Sequence, residues 1–218
     1  MSEMKEIHCR YINLGTTISH MQTPEHVVKR LLEDGDKLKE SYNKNLAGHL
    51  DRQFKYSKET TSWFYNEVLD YWNSYLQIWC EFNAIDNKQI HFYSKTLWVN
   101  YMQPLDYNPM HTHDSDLTFV IYLDVPKEIH DEQVNFKGKS APPGSIDFKY
   151  KLDEHHDKHI AWQWGKSSVF MKPKTGDFFI FPAKLHHTVA PFKSDVTRIS
   201  VSGNLEIVNK ADLNLNSY

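Results

Sequence analysis

Residues 176–208 read GDFFIFPAKLHHTVAPFKSDVTRISVSGNLEIV, and the second half of this stretch decides the fold class. Ile199, Val201, Gly203, Leu205 and Ile207 fall on one side of an extended chain. Arg198, Ser200, Ser202 and Asn204 fall on the other, because successive side chains of a strand point to opposite faces. The preceding GDFFIFP is aromatic and bounded by Gly and Pro, the signature of another strand. Upstream, IHFYSKTLWVNYM (90–102), LTFVIYLDV (117–125) and SVFMKP (168–173) have the same character. Strands that follow one another without helices between them predict an antiparallel sandwich or jelly roll rather than a parallel sheet.

The N-terminal part reads differently. Thr23 is placed to cap a helix with Pro24 at its first position, and Val27, Val28, Leu31, Leu32 and Leu38 then form a modest apolar stripe interrupted by Gly35. Residues 43–57 look like connection. Thr61 or Ser62 could cap a second helix, in which Phe64, Val68, Trp72, Tyr75 and Trp79 recur at helical spacing and require a broad apolar partner. We therefore expect a single domain over 1–218. Residues 1–88 form a mostly helical support on the outside of one sheet, and 89–208 form the β core, with an insertion at about 126–166 holding one hairpin.

Composition narrows the class. At 218 residues the chain can bury roughly 70% of its unfolded surface, so no structural metal or disulfide is needed. A net charge of −3 gives no electrostatic case for nucleic acid or anionic membrane. Two cysteines, Cys9 and Cys80, form no framework, and no run reaches the ~18 apolar residues of a membrane helix. A cytoplasmic protein is the expectation.

The chemistry sits in two places. His111 and His113 lie in WVNYMQPLDYNPMHTHDSDLTFVIYL, and His187 and Arg198 lie in the opening stretch. If 111–113 is extended, the two imidazoles share a face about 6–7 Å apart and can converge on a metal. Such pairs are weak evidence alone among thirteen histidines; His155, His156 and His159 make another cluster in a polar loop. His186 and His187 are adjacent, so at most one points inward. A lone Arg198 is most often a rim salt bridge, but it can also grip a carboxylate through two parallel hydrogen bonds. Imidazoles suit Fe, Zn and Cu. An open iron centre beside an anchored organic acid is what an oxygenase needs.

These segments resemble the Fe(II)/2-oxoglutarate-dependent dioxygenases, and are most similar to 2-oxoglutarate oxygenases common in marine phages and bacteria. The matching text is WVNYMQP, NPMHTH, IYLDVP, KPKTGDFFIFPAKLHHTVAPF and TRISVSGN, within about residues 90–208; NLAGHLDRQF adds weak support. The resemblance implies a double-stranded β-helix, a cupin-like jelly roll with iron between its sheets. It implies Fe(II), 2-oxoglutarate and O2 as cofactors, with succinate and CO2 as coproducts of a hydroxylation. It implies metal ligands at His111 and His187, and Arg198 on the distal carboxylate of 2-oxoglutarate with Ser200 beside it. Asn100, Tyr101 or Tyr122 could reach the same carboxylate. A phage-encoded enzyme would work in its host's cytoplasm.

One position departs from the pattern. The usual triad is His-x-Asp/Glu…His, whereas here the residue two after His111 is His113. His113 itself could bind, being of the right strand parity and leaving the site one charge more positive. Asp114 or Asp116 could supply the carboxylate instead, or the position could hold water or an anion. A three-histidine dioxygenase that does not use 2-oxoglutarate, and a non-catalytic jelly-roll binding module, are the alternative functions. The primary substrate, a polypeptide side chain such as prolyl or a small molecule, and the oligomeric state do not follow from the sequence.

Overall fold

A computed structural model describes residues 9–13, 16–83, 90–150 and 168–209. The strands are β1 (Cys9–Asn13), β2 (Thr17–Gln22), β3 (Gln53–Lys55), β4 (Ile90–Met102), β5 (Asn108–His111) and β6 (Leu117–Asp124). They continue with β7 (Ile146–Lys149), β8 (Ser168–Met171), β9 (Asp177–Pro182), β10 (His186–Val189) and β11 (Arg198–Asn209). The helices are α1 (Glu25–Gly35), α2 (Lys58–Glu67), α3 (Leu69–Asn83) and α4 (Lys127–Asn135). Two antiparallel sheets result, a seven-stranded one in the order β1-β2-β9-β6-β11-β4-β3 and a four-stranded one in the order β5-β10-β7-β8. They are the two open walls of a jelly roll, as the strand-on-strand pattern predicts.

The larger sheet has two different faces. On β11, β4, β6 and β9, alternate residues (Val201, Leu97, Val99, Phe119, Ile121, Phe178, Ile180) join α1, α2 and α3 in one core built around Phe64, Trp72 and Tyr75. Their neighbours (Met102, Val120, Tyr122, Phe179, Phe181) face the small sheet and pack on Phe148, Ile146 and Val189 in a second core. β6, pressed on both sides, is buried over seven of its eight residues, so it reads as a continuous apolar run. Gly203 is required on the helix side, where a Cβ would lie 2.5 Å from the Phe119 ring.

Several local expectations need correction. The N-terminal part is not only helical: β1, β2 and β3 extend the larger sheet at its two edges. Pro24 rather than Thr23 occupies the cap of α1, and the Thr23 hydroxyl finds no partner. α2 begins earlier than Thr61, because Ser57 Oγ accepts from the Thr60 amide at 3.1 Å. The aromatic stripe is split between two helices that break at Val68, yet its members still reach one core. Within 126–166, α4 precedes β7, which pairs antiparallel with β10 and with the next strand, β8; the residues that join β7 to β8, 151–167, lie outside the described residues. The cluster His155, His156 and His159 lies outside the described residues.

Candidate metal centre

β10 and β5 pair antiparallel with His187 directly opposite His111. In this register the two rings lie 4.2 Å apart, centroid to centroid. His113 is beyond the end of β5, but its amide donates to the Ala183 carbonyl at 2.9 Å, which returns the chain toward β10. Its Nε2 ends 3.3 Å from Nε2 of His187. One nitrogen from each of the three rings lies within 4.8 Å of the others. His111 Nδ1 donates to the Pro109 carbonyl at 2.7 Å and His187 Nδ1 to the Leu185 carbonyl at 2.9 Å. A ring that donates from Nδ1 to a carbonyl keeps the Nε2 lone pair free for a metal.

Electrostatics favour the same use. Burial pushes the pKa of His111 down, that of His187 well down, and that of His113 to about 3, with the neighbouring imidazoles adding to the effect on His113 and His187. All three are therefore neutral imidazoles at neutral pH. A donor set of three imidazoles fits Fe(II) or another first-row divalent metal and does not fit oxygen-seeking Mg²⁺ or Ca²⁺. Phe148 and Phe181 lie against His187, and Trp98 against His113, which walls the cluster with apolar rings.

The same cavity continues to Arg198, which opens β11 and is 3% exposed. Its Nη1 donates to the Gly144 carbonyl at 2.6 Å and its Nη2 to Met102 Sδ at 2.8 Å, while Nε has no partner. Gly144 has φ +68°, a conformation glycine adopts freely, and this turn presents its carbonyl to the guanidinium. The guanidinium also lies 5.2 Å from the Tyr122 ring centre. Burial raises the Tyr122 hydroxyl to about 12, so it is a neutral donor. Among the described residues no carboxylate pairs with Arg198. A buried guanidinium without a counter-ion is costly, and its geometry suits a planar carboxylate.

Around Arg198, Ser200 and Asn100 line the cavity as expected, with Asn100 Nδ2 3.5 Å from Ser200 Oγ. Tyr101 does not: it points to the helix side, where its hydroxyl donates to Asp36 at 3.0 Å. Neither Asp114 nor Asp116 joins the histidines. The Asp114 side chain is fully exposed beside Lys184, and Asp116 accepts from the Ile207 amide at 2.7 Å. Residues that sequence reasoning passed over also line the cavity: Leu46, Ala47, Gly48 and Gln53 of the supposed connection, with Trp98 and Asn108. Trp98 was accessible by parity, since it shares a face with Asn100. Gln53 reaches the site only because β3 pairs with β4, placing its Nε2 2.8 Å from Asn100 Oδ1.

Known proteins share this fold, and a family model covers the segment that carries the cluster. The family model described as "Putative 2OG-Fe(II) oxygenase" matches residues 96–204, half of the chain, and includes all three histidines and Arg198. An oxidoreductase of the 2OG-Fe(II) oxygenase family from Burkholderia pseudomallei superposes with TM-score 0.55 at 12% identity, covering 89% of this chain and 85% of that one. HygX from Streptomyces hygroscopicus, solved with nickel and 2-oxoglutarate, gives TM-score 0.52 at 9% identity over 88% and 83%. A truncated viral collagen prolyl hydroxylase from Paramecium bursaria Chlorella virus-1 gives 0.51 at 15% over 94% and 98%. No curated protein matches the sequence. At these identities the superpositions speak for the fold, and the family model speaks for the chemistry: the chain belongs to the 2OG-Fe(II) oxygenase family, oxidoreductases that work with Fe(II), 2-oxoglutarate and O2.

Proposed function

We propose that this single-domain protein is a hydroxylase in which His111, His113 and His187 hold Fe(II). Arg198 holds the distal carboxylate of 2-oxoglutarate, helped by Ser200, Asn100 and the Tyr122 hydroxyl. The observation that carries the reading is the buried Arg198 guanidinium, which lacks a carboxylate partner among the described residues and shares one cavity with the three imidazoles. When bound, the iron and its cosubstrate supply the oxidising power, with succinate and CO2 as coproducts. The chain's own contribution is positional. The Pro109 and Leu185 carbonyls set the tautomers of His111 and His187, and Gly144 and Met102 orient the Arg198 fork. Phe148, Phe181 and Trp98 keep bulk water from the metal.

The primary substrate is a polypeptide side chain such as prolyl or a small molecule, since the viral collagen prolyl hydroxylase and HygX, solved with hygromycin B, share the fold about equally. His113 completes the metal set in preference to Asp114 or Asp116, because their carboxylates are turned to solvent and to β11. Anaerobic dialysis against Fe(II) and 2-oxoglutarate tests the assignment. Wild type should take up one equivalent of each, and Arg198→Ala should keep the iron and lose the 2-oxoglutarate. Equal loss of both from Arg198→Ala would refute the division of roles.

A further inference from the structure

Charge bookkeeping around the cavity leads beyond the cosubstrate. Its described lining contains one formal charge, the Arg198 guanidinium, and no Asp or Glu. Asp177, on the inner face of β9, does not line it and is engaged by His20 at 2.8 Å and by the Lys174 amide at 2.7 Å. Asp147, on β7, projects from the other side of the small sheet beside Lys149 at 2.6 Å. Three imidazoles contribute no charge. A divalent metal and one guanidinium carry three positive charges, and a dicarboxylate cancels two. In the usual triad a ligand carboxylate cancels the third; here His113 stands in that place. The surplus lies in a buried, ring-walled cavity where charges are poorly screened.

We infer that the loaded site takes one further monoanionic group in this cavity, either a free small anion or a carboxylate carried by the primary substrate. The inference rests on the metal and cosubstrate assignments above. Of the buried atoms without partners that the lining carries, Arg198 Nε is a donor and suits an anion, whereas Gln53 Oε1 and Asn108 Oδ1 are acceptors and do not. Asp114 and Asp116 cannot neutralise the surplus without leaving Lys184 and the Ile207 amide.

The full-length protein loaded with Co(II) and saturating 2-oxoglutarate provides the test, with azide as probe at constant ionic strength and the visible Co(II) bands as readout. Wild type should show a saturable spectral change at millimolar azide. His113→Asp, which restores the missing charge, should weaken azide at least about tenfold, as expected for a unit charge a few ångströms away. His113→Gln, which removes the imidazole without adding charge, should weaken azide less than His113→Asp does. Competition identifies the source: displacement of azide by chloride assigns a free anion, and displacement by acetate but not chloride assigns a substrate carboxylate. No saturable change, equal affinity in His113→Asp, or displacement by neither competitor would overturn the inference. Dialysis on the same samples separates the two levels, because wild type that fails to retain Co(II) or 2-oxoglutarate overturns the site assignment itself.

Discussion

The two faces of the seven-stranded sheet solve the same burial problem in different ways. On the helix side, large aromatics bring polar tips into the core, and each tip is satisfied within the protein. Tyr56 donates to the Leu31 carbonyl, Tyr71 to Gln22, Tyr75 to Thr17 and Tyr101 to Asp36. On the inner side, Arg198 Nε and Gln53 Oε1 are buried and unsatisfied, as is Asn108 Oδ1 on β5 of the small sheet, which lines the same cavity. Buried polar groups are normally paired, and leaving one unpaired costs about 1–3 kcal/mol. The contrast separates a face that serves stability from a face that waits for ligands. Substitutions on the two sides should therefore fail in opposite ways.

The largest effect should come from Trp72→Ala. Trp72 is 1% exposed between Phe64, Phe119 and Phe178, and truncating it should cost about 3–5 kcal/mol in urea unfolding. The fraction that remains folded should bind Fe(II) and 2-oxoglutarate with unchanged affinity. Arg198→Leu should do the reverse. It removes an unpaired buried charge, so unfolding free energy should hold or rise. Affinity for 2-oxoglutarate, read by calorimetry, should fall about 100-fold, or about 2.7 kcal/mol. A marked loss of stability in Arg198→Leu would mean that this side chain serves the core, and the contrast between the faces would collapse.

The legibility of the two faces in the sequence was unequal. Strand parity separates Ile199, Val201 and Leu205 from Arg198, Ser200 and Ser202, and the structure keeps that division. β4, β6 and β9 are recognisable because each is β-branched or aromatic for most of its length, and β11 because apolar and polar residues alternate along it. β3 and β5 have three and four residues, too few to show a period, and β1 and β2 lie among mixed polar residues. Gln53 was invisible because its place depends on pairing with β4, a contact between distant segments. Tyr101 shows a rule that was available: Asn100 and Tyr101 are neighbours on one strand, so they cannot both face the cavity. His113 reaches the cluster through the Ala183 carbonyl from outside β5, so its position follows from tertiary hydrogen bonding rather than from strand period.

Acid sharpens the comparison next, because titration of His111, His113 and His187 acts on the inner face. Burial lowers the folded-state pKa of His111, His113 and His187 below the usual 6.5. The unfolded chain thus binds protons first as pH falls, and stability of the metal-free protein is full above about pH 6.5 and declines below it. For His113, with a folded value of about 3, the loss at pH 5 is about 2 kcal/mol relative to pH 7.5. Urea unfolding at both pH values, repeated on His113→Gln, measures it. The substitution should flatten the dependence, and an unchanged slope would place the proton-linked loss elsewhere.

The smallest effect belongs to the helix face, at Tyr65. The pairing of β4 with β11 shifts register between Asn204 and Leu205, and the Tyr65 hydroxyl approaches the Thr96 and Asn204 carbonyls at this irregularity, at 3.1 and 3.0 Å. A bulge leaves ladder groups without strand partners, and a buried hydroxyl can serve them. Tyr65→Phe keeps the ring against Phe64, Trp72 and Phe119 and removes only that donor. Unfolding free energy should fall by about 1 kcal/mol, with hydrogen exchange accelerated at Thr96 and Asn204. Since β4 and β11 also carry Asn100 and Arg198, a concurrent loss of 2-oxoglutarate affinity would show that the two faces are coupled through the strands; unchanged affinity would show that the bulge absorbs the disturbance before it reaches the ligand side.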